Sequence, residues 1–242
     1  MAKKGGSTVR KREVLPPFYE APKKEYVFAT NAGPGPHPKL LAYDPVTLLR
    51  DVLGFARTAW EAKKGLRMGM LKVNNKTVKD HQFPIGLFDV INIKDTEIYY
   101  RLVPSNGKEL YPVQIDKQEK DLKIVKVVKK IKVKSGKVQY VGHDSSSYLL
   151  DDESIKTGDS LLVNLAENKV IDVFKLEKGN IGLVYRGRRV GIIGKIDEVI
   201  PSTYSRIATV RLIKGDEAVT VTKDYIVVVG KEKPAIKLGV ES

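Results

Sequence analysis

The 242-residue chain has no cysteine, which excludes a disulfide framework, a zinc ribbon and a thiol nucleophile. Its three histidines are scattered, without the spacing of an all-histidine metal cluster. No run approaches the roughly 18 apolar residues of a spanning helix, and no basic-then-apolar leader resembles a signal peptide. The expectation is a cytoplasmic protein with no cofactor and no membrane span. Acidic residues are also in short supply: 29 Asp and Glu stand against 43 Lys and Arg, a formal charge of +14. Such an excess is most easily tolerated beside a polyanion, so nucleic acid is the leading partner and an acidic membrane surface the alternative.

The positive charge comes in blocks. Residues 1–40 carry eight basic and three acidic side chains, 41–80 eight and four, 117–137 nine and two, and 178–195 five and none. Residues 143–172 reverse the sign, with seven acids against two lysines, and 196–242 balance at seven each. If the basic blocks converge, one face is strongly cationic.

The first forty residues show no apolar periodicity that could build a core. They hold Arg10, Lys11, Arg12, Lys23, Lys24 and the stretch Gly33-Pro34-Gly35-Pro36-His37-Pro38, followed by Lys39, with Phe18, Tyr19, Tyr26 and Phe28 interleaved. This reads as an arm that orders on RNA, its rings offered to bases, or else as an ordinary solvated terminus. From Pro45 a helix of about three turns is predicted by Val46, Leu49, Leu53 and Ala56, with Asp44 as cap. A second runs from Thr58 to about Met68: Ala59, Ala62 and Leu66 share one face, Trp60, Lys63, Lys64 and Arg67 another, with Arg57 just before it. Met70–Val73 and Phe88–Ile93 read as strands, and Asn74-Asn75-Lys76 as a turn that accepts left-handed backbone.

Beyond residue 96 the period becomes that of strands. Ile98–Val103 and Leu110–Ile115 flank Asn106-Gly107 as a hairpin, and 122–134, open to a helix reading by spacing, is assigned to strand by its β-branched residues. Further strands are expected at Val138–Val141, Ser160–Leu165 and Val170–Leu176. In the last third, Lys178-Gly179-Asn180-Ile181-Gly182 precedes Gly187, Gly191 and Gly194, with Arg186, Arg188, Arg189 and Lys195 among them. Glycines permit the bends of a small barrel, and the basic loop faces phosphate. Strands at Tyr204–Ile213 and Ala218–Val229 would complete that barrel.

The helix-helix-strand order ending in Val73-Asn74-Asn75-Lys76 resembles the S-four-type RNA-binding module, with Asn75 where glycine is usual. The glycine series resembles the KOW motif. Together with Gly33–Pro38 and Phe83-Pro84-Ile85-Gly86-Leu87-Phe88-Asp89-Val90-Ile91, these stretches resemble, over nearly the whole chain, the archaeal and eukaryotic small-subunit ribosomal protein S-four-e family. The family's histidine, aspartate, glycine and arginine run is replaced here by His143-Asp144 and three serines. The resemblance implies an α+β, mainly β protein: a basic extension (1–40), a small α/β S-four-type module (41–96), a central β domain (97–175) and a C-terminal small β-barrel of Src-homology-like form with a KOW motif (176–242).

It further implies a non-catalytic constituent of the small subunit, with ribosomal RNA and neighbouring small-subunit proteins as partners and no small-molecule substrate. Affinity would come from phosphate neutralisation by Arg10, Lys11, Arg12, Lys23, Lys24, Lys39, Arg57, Lys63, Lys64, Arg67, Lys72, Lys76, Lys178, Arg186, Arg188, Arg189 and Lys195, with Tyr19, His37, Trp60 and Asn180 as further RNA contacts. A transcription elongation or translation factor built from the same modules is the alternative. An RNA-modifying enzyme would need a catalytic pocket for which few residues are left; Asp151-Asp152-Glu153 is a solvated loop cluster with no accompanying base or nucleophile.

Overall fold

The structure, a computed structural model, describes residues 9–11, 15–19, 27–94, 96–105, 107–134, 136–204, 206–215 and 217–239. They fall into two units: the described residues up to Leu102 with Leu110–Lys120, and Val103–Glu109 with those from Asp121 onward.

The first unit opens with an antiparallel ribbon of β1 (Val9–Lys11) and β2 (Phe28–Thr30). Asp44 then accepts a hydrogen bond from the Thr47 amide at 2.9 Å and caps α1 (Pro45–Thr47). The helix predicted as far as Ala56 does not persist. It widens into a π-helical turn over Leu48–Val52, closed by Leu53 N–H donating to the Leu48 carbonyl, and stops at Gly54, whose φ of +68° leaves the helical region. Helix α2 (Ala59–Arg67) lies where periodicity put it: Thr58 caps it, Ala62 and Leu66 are buried, and Met70 and Gly69 amides bond back to Gly65 and Leu66, a Schellman ending.

Next come β3 (Leu71–Val73), β4 (Lys76–Val78), β5 (Val90–Ile93), β6 (Tyr99–Ser105) and β7 (Lys108–Ile115), in the sheet order β4-β3-β5-β6-β7, of which the end of β6 and the start of β7, within Val103–Glu109, count with the second unit. Asn74 and Asn75, at φ 50° and 63°, make the left-handed turn between β3 and β4, as a two-residue hairpin loop requires. Val46, Leu48, Leu66, Leu71, Ile85 and Ile91 form the buried interior.

In the second unit β8 (Leu122–Lys132), β9 (Val138–Gly142), β10 (Ser147–Leu150), β11 (Ser160–Asn164) and β12 (Lys169–Phe174) form an antiparallel sheet in the order β10-β9-β8-β11-β12, around a core that includes Val125, Val127, Tyr140, Ile155 and Leu161. Strand β10 was not anticipated. It follows a tight turn in which Ser145 takes φ 59° and Asp144 Oδ1 accepts the Ser146 amide, so serine occupies a backbone region that suits glycine better.

A second sheet holds β13 (Ile181–Val184), β14 (Ile193–Ile200), β15 (Thr209–Lys214), β16 (Glu217–Thr222) and β17 (Ile226–Gly230), in the order β16-β15-β14-β13-β17. Its edge strands β16 and β17 are not bonded to each other, so it is a half-barrel where a barrel was expected. The single run Ala218–Val229 is broken by a 3-10 turn at Lys223–Tyr225. Gly182 and Gly194 face each other across β13 and β14, and a methyl added at Gly194 would lie 2.7 Å from the Ile213 carbonyl oxygen; only glycine admits strands this close.

Candidate nucleic-acid interface

The basic residues divide according to what surrounds them. In the first unit, α2 carries Trp60 and Lys64 on its solvent side, the ammonium 5.2 Å from the indole centroid, with Arg57 and Arg67 exposed and Lys63 half-buried. Lys72 and Lys76 project from the β3–β4 hairpin, and Lys79, which sequence reasoning passed over, is exposed just beyond it. Its signal was its place three residues beyond the Asn74-Asn75-Lys76 turn, just past the strand that leaves it. His81 reports the resulting field: burial lowers its pKa, and Lys63 and Arg67 lower it further against Asp80. Lys39 lies half-exposed in the 3-10 turn Lys39–Leu41, while β1 carries Arg10, half-buried, and Lys11, exposed. Arg12, Lys23 and Lys24 lie outside the described residues.

In the second unit the loop between β13 and β14 turns at Gly187 (φ 93°) and Gly191 (φ 87°) and exposes Arg186, Arg188 and Arg189, with Lys195 exposed on β14. Arg186 stacks 5.6 Å from the Tyr225 ring centroid. Among the described residues, none of Arg57, Lys63, Lys64, Arg67, Lys72, Lys76, Arg186, Arg188, Arg189 and Lys195 forms a salt bridge with a carboxylate. Lys178 does, to Asp197 at 3.0 Å.

The most basic block, 117–137, behaves differently. Lys123 pairs with Asp144, Lys132 with Glu153, Lys137 with Asp151 and Lys117 with Glu97, and Lys130 donates to the carbonyls of Glu153 and Ile155. Burial alone would raise the Asp144 pKa, but Lys123 and His143 hold it well below the carboxylate range. Buried Lys126 donates to the carbonyls of Lys223 and Asp224 at 3.2 and 2.8 Å, and burial brings its pKa down to about 8. The acidic segment thus pairs with three of the nine cations of this block, Lys123, Lys132 and Lys137, and its carbonyls take a fourth, Lys130.

Two expected contacts are corrected, those of Tyr19 and His37. Tyr19 is buried, its hydroxyl donating to the Ala42 carbonyl at 3.0 Å, in a cluster with Phe18 and Tyr43 whose centroids lie 4.9–5.3 Å apart. No face of that ring is left for a base. His37 is buried against Asp89, Nε2 to Oδ2 at 2.9 Å. Asn180, half-buried, donates from Nδ2 to the Lys175 carbonyl at 2.7 Å. The arm, where described, is thus partly core: aromatic side chains with no local period found distant partners.

The stretches Gly33–Pro38 and Phe83–Ile91 interlock. Gly33 N–H donates to the Gln82 carbonyl at 2.6 Å, and a methyl on Gly35 would lie 2.6 Å from Pro84 Cδ. Asp89 accepts from His37, from the Gly86 amide and from Asn74 Nδ2 at 2.9, 2.9 and 2.7 Å.

A profile of the ribosomal family S4e matches residues 96–170. The small ribosomal subunit protein eS4 of Ignicoccus hospitalis is 36% identical over 244 residues, spanning 97% of this chain and 96% of that protein. The eS4 protein of Korarchaeum cryptofilum is 35% identical, spanning 98% and 100%. The crystal structure of the 30S ribosomal protein S4e from Thermoplasma acidophilum matches with a TM-score of 0.69 at 28% identity, covering 79% of this chain and 96% of that one.

Proposed function

The chain belongs to the small ribosomal subunit protein eS4 family, and from that membership we propose that it is a structural constituent of the small subunit that grips ribosomal RNA without catalysis. The observation that supports this most directly is the set of exposed cations that no carboxylate of the described residues neutralises, above all Arg186, Arg188 and Arg189 on a glycine-turned loop. Guanidinium groups left unpaired in this way meet phosphate oxygens at little cost, because no internal ion pair has to break. The α2 face and the β3–β4 hairpin form a second cationic set, in keeping with an S-four-type module, and the Gly187–Gly194 region fits a KOW motif. The four-part division at 40, 96 and 175 is proposed as the functional one. Ribosomal RNA and neighbouring small-subunit proteins are the partners, and the cytoplasm the setting.

The test is incorporation into small subunits in a moderate-salt gradient. The wild type is expected to co-sediment stably, and Arg186→Glu/Arg188→Glu/Arg189→Glu to be released while its circular dichroism is unchanged. With isolated ribosomal RNA, replacing the three arginines by alanine should lower the slope of log affinity against log salt by about two to three. Wild-type release at moderate salt would favour a cycling factor, and an affinity indifferent to salt would overturn the mechanism.

A further inference from the structure

Beside α2 lies a solvent-open cavity of about 510 Å3, walled by Phe55, Trp60, Met68, Met70, Glu61 and Lys64 among others, within the roughly 300–1,000 Å3 of small-molecule sites. Four large apolar side chains gather here: Trp60 is 71% exposed and Met68 65%, with Phe55 and Met70 also open to solvent. Gly65 shapes the floor. Glycine inside a helix is unfavourable, yet a methyl there would come 2.9 Å from Met70 Sδ, so its absence lets the thioether lie against the helix.

The charge at the groove is mixed but mostly cationic: Lys64 in the wall and Arg57, one residue before Thr58 of the wall, stand against Glu61. Glu61 is the carboxylate among the wall residues, and its Oε2 accepts the Arg57 backbone amide at 2.8 Å, which ties it to the helix start. Arg57 and Lys64 are exposed and form no salt bridge among the described residues, and Lys64 sits over the Trp60 ring. An apolar slot with an indole wall and a cationic rim suits a flat ring tethered to phosphates better than an aliphatic protein side chain, which would leave those cations unmatched.

We propose that this groove receives one unstacked nucleobase of the bound RNA, stacked on Trp60, with Arg57 and Lys64 taking the flanking phosphates. The proposal rests on the RNA-binding reading and adds a mode of recognition to it. With few polar atoms in the wall, the base is held by its face and not read by its edge, so any of the four bases is accepted.

Trp60 is the chain's single tryptophan, so its emission reports this groove alone. The full chain would be titrated with an RNA hairpin carrying a one-adenine bulge and with the same hairpin whose bulge is abasic. Quenching is expected with the first only, and about tenfold tighter binding to it, within the range that one base–aromatic stack contributes. Trp60→Ala should remove the difference between hairpins while keeping salt-dependent binding, and Trp60→Phe should restore part of it. Equal binding of both hairpins by the wild type, without quenching, overturns the socket but leaves the RNA reading standing. Absence of binding to either RNA at any salt overturns both. Quenching by RNA-free small-subunit proteins and not by RNA overturns the proposal in favour of a protein side chain.

Discussion

Replacing Asp89 by alanine is expected to destabilise the first unit by about 4 kcal/mol. The carboxylate is 1% exposed and joins three segments: Oδ2 accepts from His37 Nε2 and the Gly86 amide, Oδ1 from Asn74 Nδ2, and Asn74 Oδ1 in turn accepts from Val90 N–H at 3.0 Å. Alanine takes an acceptor from three donors at once. An unsatisfied buried group costs about 1–3 kcal/mol, and removing one partner of a buried hydrogen-bonded pair about 3–5 kcal/mol in all, because neighbours relax together. Asparagine separates the terms. Its oxygen can keep the His37 and Gly86 bonds, but its amide would face the Asn74 amide, and Asn74 cannot turn without losing Val90. Asp89→Asn should therefore cost about 1–2 kcal/mol. Urea unfolding followed by Trp60 emission reads this unit alone. An Asp89→Ala loss under about 1 kcal/mol, or equal losses for the two variants, would refute the three-bond account.

Two more perturbations follow from the packing. Burial pushes the Asp44 pKa up to about 6 against the bonds that Thr47 donates. Since the folded value lies above the ordinary 3.8, its contribution is full below about pH 3.8 and lost as pH rises through 6, amounting to about 3 kcal/mol at neutrality. Asp44→Asn should thus gain on the wild type progressively between pH 4 and 7 and then level off; a pH-independent difference in urea midpoints would refute it. Gly194→Ala sets a methyl 2.7 Å from the Ile213 carbonyl oxygen, so β14 and β15 must part at a cost of about 1–3 kcal/mol. The thermal midpoint of the second unit should fall; an unchanged midpoint would mean that the half-barrel gives way freely there.

Features whose cause is local were legible in the sequence. Helix α2 follows from Thr58, Ala62 and Leu66 within one short window, the β3–β4 turn from two adjacent asparagines, and β8 from its β-branched residues against a spacing that also fitted a helix. Features settled by distant partners were not. Phe18 and Tyr19 looked like an RNA-facing arm because no period surrounds them, yet Tyr43 donates its hydroxyl to the Phe18 carbonyl at 2.7 Å across 25 residues. Helix α1 stopped short because of one glycine beyond it, a signal weaker in the sequence than the apolar spacing that argued for continuation.

Charge shows the same division and decides how a basic sequence should be turned into a surface. The nine cations of 117–137 formed the densest block, and adjacency along β8, β9 and the segment after β10 brought four of them, Lys123, Lys130, Lys132 and Lys137, to acids or carbonyls of 144–155. Five cations at 178–195 made a smaller block but met a single acid, Asp197, through Lys178. The binding potential of a block thus depends on what its strand neighbours carry, because a paired lysine must give up one ion pair to make another, whereas an unpaired arginine gives up only water. The stretches that carried the family resemblance in the sequence are mostly bonded to each other, His37 to Asp89 and Gly33 to Gln82. They hold the fold together, and the proposed RNA contacts are therefore sought among the cations those stretches leave unpaired.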